Sequence, residues 1–128
     1  MDELLTEYNT PIELIKPVSI IDTTVHDPST NPEFKYIDVF LWLGWTVRII
    51  NNTNQQIVFT LFGNFDKSNV NPQSYPATVT IVANSTGMIT FNTPGSGWTP
   101  YVYGSVQASV APTSGQISAS LVLFNKQK

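Results

Sequence analysis

The chain of 128 residues carries nine acids, six bases and one histidine, for a net charge of −3, and only 12% of it is charged against 41% apolar. That charged share is about half the usual 25% or so of a globular domain, and the polarity is supplied instead by 15 Thr, 11 Ser and 11 Asn. Its aromatics, 3 Trp, 5 Tyr and 7 Phe, argue against disorder, and the absence of Cys excludes a disulfide framework, a thiolate metal site and a cysteine nucleophile.

The charges are unevenly placed. Residues 1–38 hold Asp2, Glu3, Glu7, Glu13, Asp22, Asp27, Glu33 and Asp38 against Lys16 and Lys35, a net −6. The remaining 90 residues hold Asp66 against Arg48, Lys67, Lys126 and Lys128, a net +3. From Ser68 to Asn125 there is no Asp, Glu, Lys, Arg or His. A nucleic-acid backbone would find no basic stripe to follow. The first 20 residues lack the basic start and unbroken apolar core of a signal peptide, and no apolar run reaches membrane-spanning length. Neither a nucleic-acid nor a membrane partner is expected, and the compartment stays open.

Pro11, Pro17, Pro28 and Pro32 interrupt residues 1–35. This region reads as irregular, apart from a helical turn capped by Asp2 and reaching Tyr8, and a strand over Val18–Val25. Residues 1–17, MDELLTEYNTPIELIKP, are set apart as an N-terminal arm, with a sandwich domain over 18–128. Leu4, Leu5, Tyr8, Ile12, Leu14 and Ile15 in the arm are costly to leave in water, at about 25 cal/mol per Å² of apolar surface. Pro11 and Pro17 prevent one continuous helix from burying them. The arm must lie on its own sheet or on an adjacent subunit. The adjacent subunit is the expectation, with the arm's acids meeting Arg48, Lys67 or the C-terminal lysines there.

From Tyr36 the chain reads as all-β. YIDVFLWLGWTVRII is rich in β-branched and aromatic residues and reads as one strand, ended by the turn-forming NNTNQQ, with IVFTLF as its hairpin partner. GNFDKSNVNPQSYP is a loop, and ATVTIV and MITF flank the tight turn ANSTG. WTPYVYGSVQASV then returns, after APTSGQ, as ISASLVLF in a last hairpin. Seven to eight short strands with regular turn signals predict an antiparallel β-sandwich or a jelly-roll-like barrel.

Period-2 alternation assigns faces within these strands. In the last hairpin, Val102, Gly104, Val106, Ala108 and Val110 lie opposite Ile117, Ala119, Leu121 and Leu123 as core candidates. The other face carries Tyr103, Ser105, Gln107 and Ser109, then Ser118, Ser120, Val122 and Phe124. Small neutral side chains suit either a solvated sheet or one that another neutral surface covers. The middle strand is apolar on both faces, with Leu41, Leu43, Trp45, Val47 and Ile49 on one and Phe40, Trp42, Thr46, Arg48 and Ile50 on the other. Either Gly44 marks a bulge that flips the register, or the second face is covered by the N-terminal segment or another subunit. Phe40, Trp42, Arg48, Tyr103 and Gln107 therefore join Leu4, Leu5, Tyr8, Ile12 and Leu14 as expected interface residues.

Groups for chemistry are sparse. His26, beside Asp27 in TTVHDPST, has no G-x-S-x-G nucleophile elbow to serve and reads as a turn histidine. Paired carboxylates for glycoside hydrolysis could come only from Asp22, Asp38 and Asp66 in or near the β body. NFDKSNVN lacks the sixth-position glycine and the terminal glutamate of a calcium loop. Asn51 and Asn84 match the N-glycosylation pattern without a secretory signal to support it. No catalytic residue, cofactor or metal site is assigned. Trp98, Tyr101 and Tyr103 cluster near a loop and could stack sugar rings, but aromatics also dominate sandwich interiors, and packing is the preferred reading.

The segment GWTPYVYGSVQASVAPTSGQISASLVLF resembles the terminal hairpin of small β-sandwich accessory proteins of tailed-phage and related virions, whose uncharged Ser/Thr/Gly-rich strands end a sandwich that decorates or cements a shell. The resemblance spans roughly Asn51–Phe124, is one of style and composition, and assigns no residue a role. It implies a virion decoration or tail-associated protein. The expected function is accordingly non-enzymatic, a structural protein forming a homo-oligomer or joining a larger protein shell. A glycan- or other ligand-binding module is the alternative.

Overall fold

The computed structural model describes residues 10–92 and 99–126. The expectations placed on Leu4, Leu5, Tyr8 and Trp98, and on a helical turn before residue 9, fall outside these residues. The described chain has no helix and eight strands, β1 (Ile12–Val18), β2 (Ile37–Asp38), β3 (Trp42–Asn51), β4 (Ile57–Asn64), β5 (Gln73–Ile81), β6 (Ser85–Asn92), β7 (Tyr101–Ala108) and β8 (Ile117–Lys126). They form two four-stranded antiparallel sheets, β1-β8-β3-β6 and β2-β7-β4-β5.

The pairings have a simple origin. β1 pairs with β8, β2 with β7, β3 with β6 and β4 with β5, so the chain is one long antiparallel ribbon folded back at the β4–β5 loop. Rolling that ribbon on itself brings β8 beside β3 and β7 beside β4. This is the jelly roll, the double-sheet solution of an eight-stranded chain. The predicted class stands. Three expected local pairings do not: β3 and β4, β5 and β6, and β7 and β8 each lie in opposite sheets. Their connections are arches over the core, and β4–β5 is the hairpin that joins strands adjacent in sequence.

The core lies between the sheets where alternation placed it. Val102, Val106, Ala108, Ile117, Ala119, Leu121 and Leu123 are buried against Trp45, Val47, Ile49, Ile57, Phe59 and Leu61. Val110, expected with them, is exposed beyond the end of β7. Trp45 stacks on its cross-strand partner Phe91 at 4.6 Å between ring centres, a favourable separation for aromatic pairs.

The apparently two-faced strand has two causes. YIDVFLWLGWTVRII is two strands: Ile37–Asp38 belongs to one sheet and Trp42–Asn51 to the other, with Val39 buried and Phe40 and Leu41 exposed at the crossover. Gly44 is not a bulge, because β3 keeps an unbroken register through it with both β6 and β8. Its missing Cβ instead leaves room for the Phe124 ring, which a methyl group there would strike.

The N-terminal boundary also differs from expectation. Ile12–Val18 is an integral strand hydrogen-bonded to β8, and Leu14 and Ile15 are fully buried in the core. A bulge around Leu14 lets two successive residues point inward. Residues 12–17 thus belong to the sandwich and not to an arm. The strand predicted over Val18–Val25 is displaced to Ile12–Val18, and bends occupy residues 22–24.

Residues 19–36 close one side of the barrel. Phe34 bridges to Ile15 on the free edge of β1, supported by Lys35 N–H to Leu14 O and Lys16 N–H to Glu33 O at 2.9 Å each. His26 bridges to Val106 on the free edge of β7. Bare backbone edges invite unwanted pairing, and this segment occupies two of them.

Candidate interaction surface

The two outer faces of the sandwich have similar composition but different surroundings. On the β2-β7-β4-β5 sheet the chain covers part of its own surface. Tyr103 points outward from β7 yet is only 2% exposed. Tyr36 packs edge-on against its ring at 5.3 Å and Phe62 stacks on it at 5.4 Å. Burial, with the Asp27 carboxylate and Tyr36 adding to it, pushes the Tyr103 phenol up to about 12. The covering loops are tied together where Asn69 donates to Asp27 Oδ2 at 3.3 Å and Ser29 Oγ at 3.0 Å. Gln107 donates to the Thr23 carbonyl at 3.0 Å. The neutral face of β7 is thus partly a docking face for the chain's own loops.

The outer face of the β1-β8-β3-β6 sheet has the same neutral character without such a cover among the described residues. β3 presents Thr46, Arg48 and Ile50, β6 presents Thr86, Met88 and Thr90, and β8 presents Ser118, Ser120 and Val122. Met88 is 60% exposed. Arg48 on β3 and Glu13 on β1 are exposed here and without an ion-pair partner among the described residues, and Lys16, also exposed, follows on β1. Two shallow depressions flank Arg48. One, of about 140 Å³, reaches Glu13, Pro17, Ile50 and Ser118; the other, of about 230 Å³, reaches Pro11, Thr46, Met88 and Val122.

The expected interface residues are therefore scattered. Arg48 is on the uncovered face, and Phe40 is exposed at the β2–β3 crossover. Leu14 is core, Ile12 and Trp42 are half-buried against the core, and Tyr103 is covered by the chain itself. Gln107 is exposed, with its amide held by Thr23. Leu14 and Tyr103 are not available to a partner, because the roll places both under other parts of the same chain. Sequence reading did not single out Met88 or Glu13 as surface residues of interest. The neutrality of β6 and β8 was the available signal, but it needed the β3 register to show that these residues share a face.

The groups considered for chemistry make contacts within the loops. His26 Nε2 lies 2.9 Å from Asp22 Oδ1, and its Nδ1 lies 3.3 Å from the Asn31 amide, so both ring nitrogens are engaged. The His26 imidazole first, then the Thr24 hydroxyl and amide, hold the Asp22 carboxyl below its ordinary value. Asp38 caps the amide of Phe40 at 2.9 Å, and Asp66 lies in the β4–β5 loop, where its charge acts on Tyr36. Within NFDKSNVN, the Asn64 amide closes the turn onto the carbonyls of Ser68 and Val70. Among the described residues no group of three His, Asp or Glu could hold a metal ion. Asn51, in the first glycosylation pattern, is fully buried.

Tyr101 is half-buried with Lys67 Nζ 5.9 Å above its ring, within the range of a cation–π contact. Beside it a depression of about 230 Å³ is lined by Gly63, Asn64, Phe65, Asn71, Gln73 and Thr99, and Phe65 is 85% exposed.

No protein-family model matches the chain, and no curated protein matches it. Among solved structures, a chain in the structure of infectious bursal disease virus, Gx strain, is similar in fold, with 16% identity and a TM-score of 0.48 over 92% of this chain. The present chain spans 32% of that one's length.

Proposed function

We propose that this chain is a non-enzymatic structural protein that builds a larger protein assembly through uncharged sheet surface, as a virion decoration or tail-associated component. The supporting observation is the contrast between the two outer faces. On the β2-β7-β4-β5 sheet the chain covers its own neutral surface, burying Tyr103 beneath Tyr36 and against its cross-strand neighbour Phe62. The β1-β8-β3-β6 face, also poor in charge, has no such cover among the described residues, and Met88 there is exposed. Exposed neutral sheet with apolar residues is the kind of surface that marks a protein contact. The jelly roll by itself does not choose, since shell proteins, lectins and cupins share it.

Light scattering over a concentration series tests the reading. The expected mass exceeds the 14.2 kDa of one chain and rises with concentration. A strict monomer that also fails to co-sediment with particles from its source would overturn it.

A second reading follows from the depression beside Tyr101. Exposed Phe65 with the neutral amides of Asn71 and Gln73 offers a ring face and hydrogen-bonding groups to a sugar. Titrating a glycan panel against wild type and Phe65→Ala tests it. Saturable binding lost in the variant would support this reading, and no saturable binding would discard it.

A further inference from the structure

We infer that the partner of the open face is a second copy of this chain, docked face to face about a two-fold axis that runs along β8 above Ser120. This rests on the reading that the chain assembles through neutral sheet surface, and adds the occupant and its geometry. The inference comes from the register. Arg48 pairs with Ser120 from the β3 side, and Glu13 pairs with the same Ser120 from the β1 side. The two charges therefore sit at the same height, one strand to either side of β8. Neighbouring strands lie about 4.8 Å apart, so the two positions are related by reflection across the β8 line.

A two-fold axis along that line moves each side of the face onto the other. It sets Arg48 of one copy over Glu13 of the second, and Glu13 over Arg48. Arg48 and Glu13, neither with an ion-pair partner among the described residues, thereby each meet an opposite charge, twice over. An isologous contact also demands that residues on the axis tolerate meeting themselves. The residues of β8 nearest this point are Ser118, Ser120 and Val122, small and uncharged, with Phe124 next along the strand. A charge there would face its own copy. The sequence places Arg48 and Glu13 off the axis, with opposite signs, and keeps the stretch of β8 between them neutral. The depressions on either side of Arg48 give the long side chains room to cross.

Charge reversal gives a decisive test, because both side chains are exposed and their replacement leaves the core untouched. Arg48→Glu sets acid against acid at both contacts of its own dimer, and Glu13→Arg sets arginine against arginine in the same way. Like-charge juxtaposition across an interface is strongly unfavourable, so each variant should self-associate at least about tenfold more weakly than wild type. Mixed together, one variant supplies two acids and the other two bases, and the mixture should form a one-to-one heterodimer of wild-type affinity. The double variant should again self-associate. Sedimentation velocity at low ionic strength reads all four, and added salt should weaken the association. If wild type is a monomer, this inference fails, and the assembly reading stands or falls on co-sedimentation with particles. If wild type associates but the single variants associate equally well, or fail to rescue one another on mixing, assembly stands and the two-fold contact is wrong.

Discussion

The side-chain amide of Asn51 donates to the carbonyl of Ile81 at 3.0 Å, joining the end of β3 in one sheet to the end of β5 in the other. The same amide reaches the carbonyls of Gln55 and Val82, and the Asn51 carbonyl oxygen accepts from the amide and hydroxyl of Thr53. Asn51 and Thr53 are both fully buried, and their polar atoms are satisfied. Asn51→Ala would strand several of those partners without water, at a cost of about 1–3 kcal/mol for a buried unsatisfied group. Urea unfolding should show a loss of about 3 kcal/mol, at the upper end of that range because more than one group is orphaned. Asn52→Ala at the exposed neighbour should change stability by less than about 0.5 kcal/mol.

Gly115 carries the adjoining arch. Its φ is +87°, a region that side chains resist, and a Cβ there would run into the Asn52 carbonyl. That carbonyl belongs to the residue whose own N–H bonds Gln116 O at 2.9 Å, so it cannot retreat freely. Gly115→Ala should cost at least about 2 kcal/mol, within the range of stored backbone strain. Thermal unfolding reads this directly, and a neutral result would mean that the β7–β8 arch is not held against the β3–β4 arch.

Phe124 and Gly44 should be energetically coupled. Gly44→Ala pushes against the Phe124 ring and should destabilise by about 1–3 kcal/mol, as overpacking does. In a Phe124→Ala background the obstacle is gone. Alanine is intrinsically better than glycine in a strand by about 0.5–1 kcal/mol, so the same substitution there should be neutral or stabilising. A double-mutant cycle checks this, and simple additivity would contradict the contact.

Tyr103 should make stability depend on alkaline pH. Its folded-state phenol titrates at about 12, above the ordinary 10.0. The unfolded chain therefore loses this proton first. The contribution is fully present below about pH 10 and is lost as pH rises through about 12. Unfolding midpoints should fall across that window, and ultraviolet titration should show a late-ionising tyrosine. Tyr103→Phe should remove the late ionisation and flatten the Tyr103 part of the decline, leaving that of Tyr36, which burial also raises.

Local pattern was enough for the class of the fold and for the inside of most strands. Alternation is a property of the single strand, so Val102, Val106, Ala108, Ile117, Ala119, Leu121 and Leu123 could be turned inward without knowing any neighbour. The scarcity of charge in the C-terminal half was equally legible, and with it the prospect of a covered surface. Pairing was not legible. Period 2 says which way a side chain points but not which strand lies beside it, and short connections made hairpins of what are arches between sheets. Only the rolled ribbon decided that Ile12–Val18 completes a sheet, that Tyr103 lies under the chain's own loops, and that Arg48 and Glu13 flank one serine. These relations join residues far apart in the chain. They arise from burying two sheets against each other, and no local pattern records them.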